Sequence, residues 1–310
     1  MLGEHRYGML ARRVWRDRSL DAAGMVAKAT SAAEFKMRVA GDGELQSSEF
    51  YRVRYSGALR QLQDAVFSEV YDDYFGQSSW ITTADYDRFF SMLEVARASS
   101  VLDVASGWGA PALRLARRTG CSVVGIEINH EAVASATALA EQLDLAARVR
   151  FELRDAGRPL SFPDGAFDAI CCFDALGHFL ERDRVFAEWS RLLRPGGRLL
   201  FTEQVVMGLI SNEEIAQRSP SQTFMISVPG LSERLLGAKY LKLTHREDLT
   251  HTLADVAKRH CAARVHHSAE LRVLEGDNLF DTLTTYRAVA ERLAREGRLA
   301  HVLFVAQKPA

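Results

Sequence analysis

The stretch VLDVASGWGAPAL, Val101 to Leu113, decides the fold. Val101, Leu102 and Val104 suit a strand buried on both faces, with a single acid, Asp103, inside it. Gly107 and Gly109 let the backbone approach a ligand closely. Pro111 fits the first turn of a helix, where its missing N–H costs nothing. Arg117 and Arg118 favour the negative end of that helix, and Gly120 suits a left-handed stop. Strand, glycine turn and helix in succession build the crevice where parallel α/β sheets hold nucleotides.

Downstream of this unit, strands and helices alternate, as in a parallel sheet. Strands are expected at 101–105, 122–128, 148–153, 167–173 and 198–202. Asn129 caps an alanine-rich helix running to about Leu143, and a helix over 185–193 meets the turn Arg194-Pro195-Gly196-Gly197. The alternation then breaks. A long mixed segment, 205–237, precedes a short strand at 240–244, two helices within 247–275 and 279–296, and a closing strand at 301–306. Upstream, residues 1 to about 65 read as helices with polar breaks, followed by the aromatic and acidic run FSEVYDDYFGQSSW, Phe67 to Trp80.

The 310 residues carry a net charge of −1 and are 47% hydrophobic, an ordinary globular balance that suggests neither nucleic-acid nor membrane binding. No apolar run approaches the ~18 residues needed to cross a bilayer. The arginine-rich start (Arg6, Arg12, Arg13, Arg16, Arg18) lacks a signal-peptide core and reads as a basic amphipathic helix, with a transit peptide as the alternative. Cys121, Cys171, Cys172 and Cys261 have no CxxC spacing, and the adjacent pair reads as buried small hydrophobes in a reducing, cytoplasmic setting.

Acids fall at or near the carboxyl ends of successive strands: Asp103, Glu127, Asp155 and Asp174. Ligands of open α/β sheets bind along that edge. Glu127 lies about 20 residues past the glycine turn, where a carboxylate accepts from ribose hydroxyls. Asp155 is placed to read an adenine amino group. Taken singly, each acid equally suits a solvated loop.

Together these residues resemble the class I S-adenosylmethionine-dependent methyltransferases, in particular bacterial small-molecule members, over roughly Phe67 to Pro309. The resemblance rests on Asp103 through Gly109, Glu127, Asp155 with Ala156, the Pro195–Gly197 turn within RLLRPGGRLLFTE, the Tyr71–Trp80 segment, and Asp174-x-x-x-His178. Ala105 and Ala110 stand where many members have glycine, and Ser106 where many have cysteine. The resemblance implies an α/β, Rossmann-like, doubly wound, mostly parallel seven-stranded sheet with helices on both faces. It divides the chain into a helical extension over 1–65 and a methyltransferase domain over 66–310, with an acceptor lid at 205–237.

On this reading S-adenosyl-L-methionine is held by Trp80, Asp103, Ala105, Ser106, Gly107, Gly109, Glu127, Asp155, Ala156 and Phe173. His178 is the candidate base, and Asp174 binds the donor or orients the acceptor. Tyr71 and Tyr74 offer aromatic faces to the sulfonium or simply anchor the N-terminal helices. Glu203 faces the acceptor or is structural. Arg218 and Arg234 suit an anionic group on the acceptor or an ordinary surface.

Met207, Leu209, Ile210, Phe224, Met225, Ile226 and Val228 make the 205–237 segment apolar enough to cover a small organic acceptor. The acceptor atom, nitrogen, oxygen or carbon, stays open. His245, His251, His260, His266 and His267 show no HExxH or comparable spacing, so no metal is expected. The N-terminal helices suit either packing on a second copy of the chain or decoration of the same subunit. Two other functions remain: an NAD-dependent oxidoreductase, since Gly107-x-Gly109-x-x-Ala112 formally satisfies GxGxxA, and a non-catalytic scaffold that binds the methyl donor.

Overall fold

The computed structural model describes residues 57–219 and 227–310. Seven strands join in one sheet: β1 Ser100–Val104, β2 Ser122–Glu127, β3 Val149–Leu153, β4 Phe167–Cys172, β5 Leu193–Val206, β6 Lys242–Asp248 and β7 Leu299–Gln307. Their order is β3-β2-β1-β4-β5-β7-β6, with β7 antiparallel to both neighbours and the remaining pairs parallel. The sheet is therefore mixed. The order reverses between β1 and β4, and a crevice opens at such a switch point along the carboxyl ends of the strands.

Ten helices are described: α1 Gly57–Val70, α2 Thr83–Met92, α3 Ala110–Thr119, α4 His130–Gln142, α5 Arg182–Leu192, α6 Asn212–Gln217, α7 Leu231–Ala238, α8 Thr250–His266, α9 Ser268–Glu275 and α10 Asp277–Arg295. Successive strand residues point to opposite faces. Leu102, Val104, Ile170, Cys172 and Phe201 therefore pack against Val185, Phe186 and Trp189 of α5 and Leu236 of α7. Val101, Ala169, Cys171 and Leu200 meet α2 and α3 through Phe89, Phe90, Leu113 and Leu115. A third cluster joins Leu59, Val66 and Phe67 of α1 to Leu253, Ala257, Phe280 and Ala290 of the C-terminal helices, and takes in Trp80 and Trp108.

Strand five is longer than its apolar core suggests. It starts at Leu193, bulges where the pairing jumps from Phe167↔Leu193 to Ala169↔Arg198, and runs to Val206 because β7 pairs along it from Arg198↔Gln307 to Val206↔Leu299. The Pro-Gly-Gly turn thus lies inside the strand, where Gly196 donates to the Lys308 carbonyl at 2.9 Å. The segment expected as a single helix within 247–275 is two, broken at His267.

The boundary expected at residue 65 falls within α1, which packs on α8 and α9. The rest of the expected extension, and Phe224, Met225 and Ile226, lie outside the described residues. No helix among the described residues is long and apolar enough to cross a membrane.

Candidate active site

The β1 strand ends in a tight bend. Ala105 and Gly107 both take left-handed φ values, +56° and +54°, and Gly109 follows at +79° before α3 begins. For alanine this conformation is strained, which is the local meaning of a departure from glycine at 105. A side chain at Gly109 would overlap the Phe151 ring, and one at Gly125 would overlap the same ring and crowd Ser106 Oγ. Phe151 therefore fills the space beside two positions that only glycine fits.

Glu127 braces the bend. One carboxylate oxygen accepts from the Gly107 N–H at 3.0 Å, and the other from the N–H groups of Ile128 and Asn129 at 2.8 and 3.0 Å. Asp103 sits below on the α3 face, 2% exposed. Burial pushes its carboxyl up to about 7; the Cys171 thiol at 3.5 Å works against that shift, and nearby Glu127 adds to it. Asp103 Oδ2 and Ser106 Oγ are buried and have no hydrogen-bond partner. Such atoms are costly in a closed core. Two of them at the mouth of a glycine bend suit a polar ligand that completes them.

Asp155 follows β3 and is half-exposed. Its carboxylate accepts from the Gly157 N–H at 2.8 Å and pairs with Arg158 Nε at 3.0 Å, and Ala156 packs on the core beside it. Phe173 stands edge-on to Tyr86, with centroids 4.9 Å apart.

Asp174 is the most connected group at this edge. Its φ is +53°, rare for a residue other than glycine and a recurring mark of functional sites. One carboxylate oxygen accepts from the Trp80 N–H at 2.7 Å. The other accepts from the Thr202 hydroxyl at 2.8 Å and from His301 Nε2 at 2.7 Å; a carboxylate only accepts, so the imidazole donates. Burial alone would raise the Asp174 pKa, but His301, the Trp80 N–H and Thr202 outweigh it and hold the group below the usual range. The acid thus bolts the segment before α2 to β5 and β7. His301 and Thr202 were not foreseen; the available signal was a histidine inside the otherwise apolar strand LAHVLFVAQ.

His178 closes a 3-10 turn, Leu176–His178, and is exposed at the same edge, while its backbone N–H donates to Ala175. Trp80 is buried among His260 and Tyr286, at centroid distances of 6.0 and 5.7 Å. Tyr71 donates to the Ser79 carbonyl and Tyr74 to Asp64, so both hydroxyls have anchoring partners within the N-terminal segment.

Glu203 is buried against Arg182 Nη1 at 3.3 Å and accepts from the hydroxyls of Ser227 and Ser232. The strand-five acid thus ties α5, α7 and the start of the 227–230 turn together. Arg218 is no surface residue. It is 1% exposed, lies 3.9 Å over the Tyr286 ring, and donates to the Tyr286 carbonyl and to Gln204. Arg234 is exposed. Of the histidines, His245 meets Glu247 and His251 meets Asp255, whereas His266 and His267 converge on Glu69.

A glycine bend braced by a strand-two acid, at the switch point of a sheet ordered 3-2-1-4-5-7-6, defines a Rossmann-like α/β enzyme that binds an adenosyl ligand. Comparison with known proteins takes this further. The sequence profile of the family described as a methyltransferase domain matches residues 101–197. The 27-O-demethylrifamycin SV methyltransferase of Amycolatopsis mediterranei is 30% identical over 265 residues, covering 81% of this chain and 94% of that protein. Methyltransferase GfsG of Streptomyces halstedii is 36% identical over 126 residues, 41% of this chain and 45% of its own length. The [4+2]-cyclase SpnF shares the fold, with a TM-score of 0.61 at 24% identity over 81% of this chain and 95% of that one. The chain belongs to the class I S-adenosylmethionine-dependent methyltransferases. It is an enzyme, its methyl donor is S-adenosylmethionine, and the dinucleotide alternative falls away.

Proposed function

We propose that this enzyme methylates a hydroxyl or amine of a small organic acceptor, with His178 receiving the acceptor's proton. The carrying observation is the placement of His178, exposed at the end of β4 and four residues beyond the acid that bolts Trp80 to the sheet. The Amycolatopsis relative, named for a 27-O-demethylated substrate, favours a hydroxyl.

The residues at the bend fit the donor. Asp103 and Ser106 carry the open hydrogen-bonding atoms, the left-handed turns at Ala105, Gly107 and Gly109 shape the bend, Glu127 and Asp155 would take the ribose and adenine, and Ala156, Phe173 and Trp80 would line the remainder. The donor supplies a methyl carbon already activated on a positive sulfur. The chain's own task is then to align, exclude water and accept a proton. With the donor bound and the methyl group passed to the acceptor, the imidazole of His178 would take the proton that the acceptor's hydroxyl or amine loses.

Asp174 is a positioning residue on this reading, because both of its oxygens already serve Trp80, Thr202 and His301. The domain over 66–310 carries the chemistry. The insertion 205–237 acts as the lid, with Met207 and Ile210 half-buried and Leu209 73% exposed along its first part.

His178→Ala tests the assignment against a panel of hydroxylated polyketides and amines with radiolabelled donor. Turnover should fall by about 10²–10⁴-fold, while calorimetric affinity for the donor is unchanged. An undiminished rate would remove His178 from the mechanism.

A further inference from the structure

On the side of the molecule where α1 meets the C-terminal helices, three metal-ligating side chains meet that the methyl-transfer reading leaves unused. Glu69, near the end of α1, receives both His266 and His267. Its Oε1 lies 3.0 Å from His266 Nδ1 and 2.8 Å from His267 Nε2, and its Oε2 is 3.1 Å from the same Nδ1. The three ligand atoms lie within 4.8 Å of one another.

Neighbouring residues on a continuous helix project about 100° apart and cannot both reach one carboxylate. Here they do, because α8 ends at His266 and α9 begins at Ser268, leaving His267 as the joint with φ −93° and ψ 23°. The two rings consequently stand 4.8 Å apart at 47°. The carboxylate arrives from 197 and 198 residues away in the sequence.

We propose that Glu69, His266 and His267 form a binding site for Zn²⁺ that clips α1 to the α8–α9 joint. Two imidazoles and one carboxylate are borderline ligands that suit Zn²⁺ better than Mg²⁺ or Ca²⁺, which take oxygen. With Zn–N and Zn–O distances of about 2.0–2.2 Å, tetrahedral ligand atoms stand about 3.3–3.5 Å apart. The present nitrogen–oxygen separations of 2.8–3.1 Å would open by a few tenths of an ångström, while the two imidazole nitrogens, within 4.8 Å of each other, would draw together around the ion.

The side chains of His266 and Glu69 are 72% and 40% exposed, so both can turn, and water can complete the fourth position. The ion would exchange hydrogen bonds for coordinate bonds within an existing contact. It would also fasten the helix that leads through Phe67, Tyr71 and Tyr74 to Trp80, the border of the donor mouth. The site stands independently of which acceptor the enzyme uses.

The test uses the full chain, stripped with chelator and titrated with ZnCl₂ by calorimetry, with MgCl₂ as control. One Zn²⁺ site per chain is expected, together with a rise of a few degrees in melting temperature that His266→Ala, His267→Ala and Glu69→Gln each abolish. Co²⁺ in place of Zn²⁺ should give the visible bands of a four-coordinate nitrogen–oxygen site. Glu69 and His266 are exposed and His267 is half-buried, and circular dichroism verifies that each variant folds. The proposal is overturned if the wild type shows no site tighter than the variants show. It is equally overturned if Co²⁺ displays a thiolate charge-transfer band, which would place the ion on a cysteine.

Discussion

Asp103 shows how a single side chain couples stability to ligand binding. Its carboxyl is pushed from 3.8 up to about 7 by burial. Below pH 4 folded and unfolded chains both hold the proton; between 4 and 7 only the folded chain does. Stability from this group therefore falls as pH rises through that window, by about 1.4 kcal/mol per unit. Asp103→Asn removes the dependence. Its advantage over wild type in urea unfolding should grow by about 2–3 kcal/mol between pH 5 and 7 and then level off. The same variant should bind S-adenosylmethionine at least about tenfold more weakly, the loss of one charge-assisted hydrogen bond. A parallel pair of stability curves would contradict the burial account.

At this scale the sequence speaks clearly where spacing carries the message. Spacing singled out Glu127, an acid ending strand two about 20 residues past the bend, and the structure sets its carboxylate on the Gly107 N–H. Spacing did not mark His301. Its partner Asp174 is 127 residues away, and a mostly apolar strand advertises burial without naming what a polar member meets.

Among elements, the β1–α3 bend is the most exacting. Gly109 has φ +79° and the Phe151 ring against the place a side chain would occupy. Gly109→Ala should cost about 2–4 kcal/mol, combining left-handed strain with overpacking. Pairing it with Phe151→Leu should recover the packing part and leave the strain. A double variant no better than the single one would show that Phe151 is not the obstacle.

The bend, the five leading strands and the closing strand were readable from period and punctuation. The full length of β5 was not, because β7 supplies its last pairs from the far end of the chain. The division of α8 from α9 was also hidden: VHHSAE contains neither glycine nor proline, and tertiary contacts set the joint.

At the scale of the molecule, the described residues belong to one compact unit. A chain beginning at Glu49 is expected to melt cooperatively and to bind S-adenosylmethionine as the full chain does, measured by calorimetry. Loss of either property would assign residues 1–48 an essential part in folding or binding. Light scattering on both chains tests the proposal that the N-terminal residues mediate self-association, which predicts a larger assembly for the full chain alone.

The knot of Asp174, Trp80, Thr202 and His301 has a consequence for biosynthesis. Its members lie at positions 80, 174, 202 and 301, so it cannot close until the last strand has left the ribosome and slid in between β5 and β6. A nascent chain stalled short of β7 would display the glycine bend and its acids, yet leave Asp174 without the His301 imidazole that helps hold its charge. Competence to bind should therefore appear only once β7 has joined the sheet.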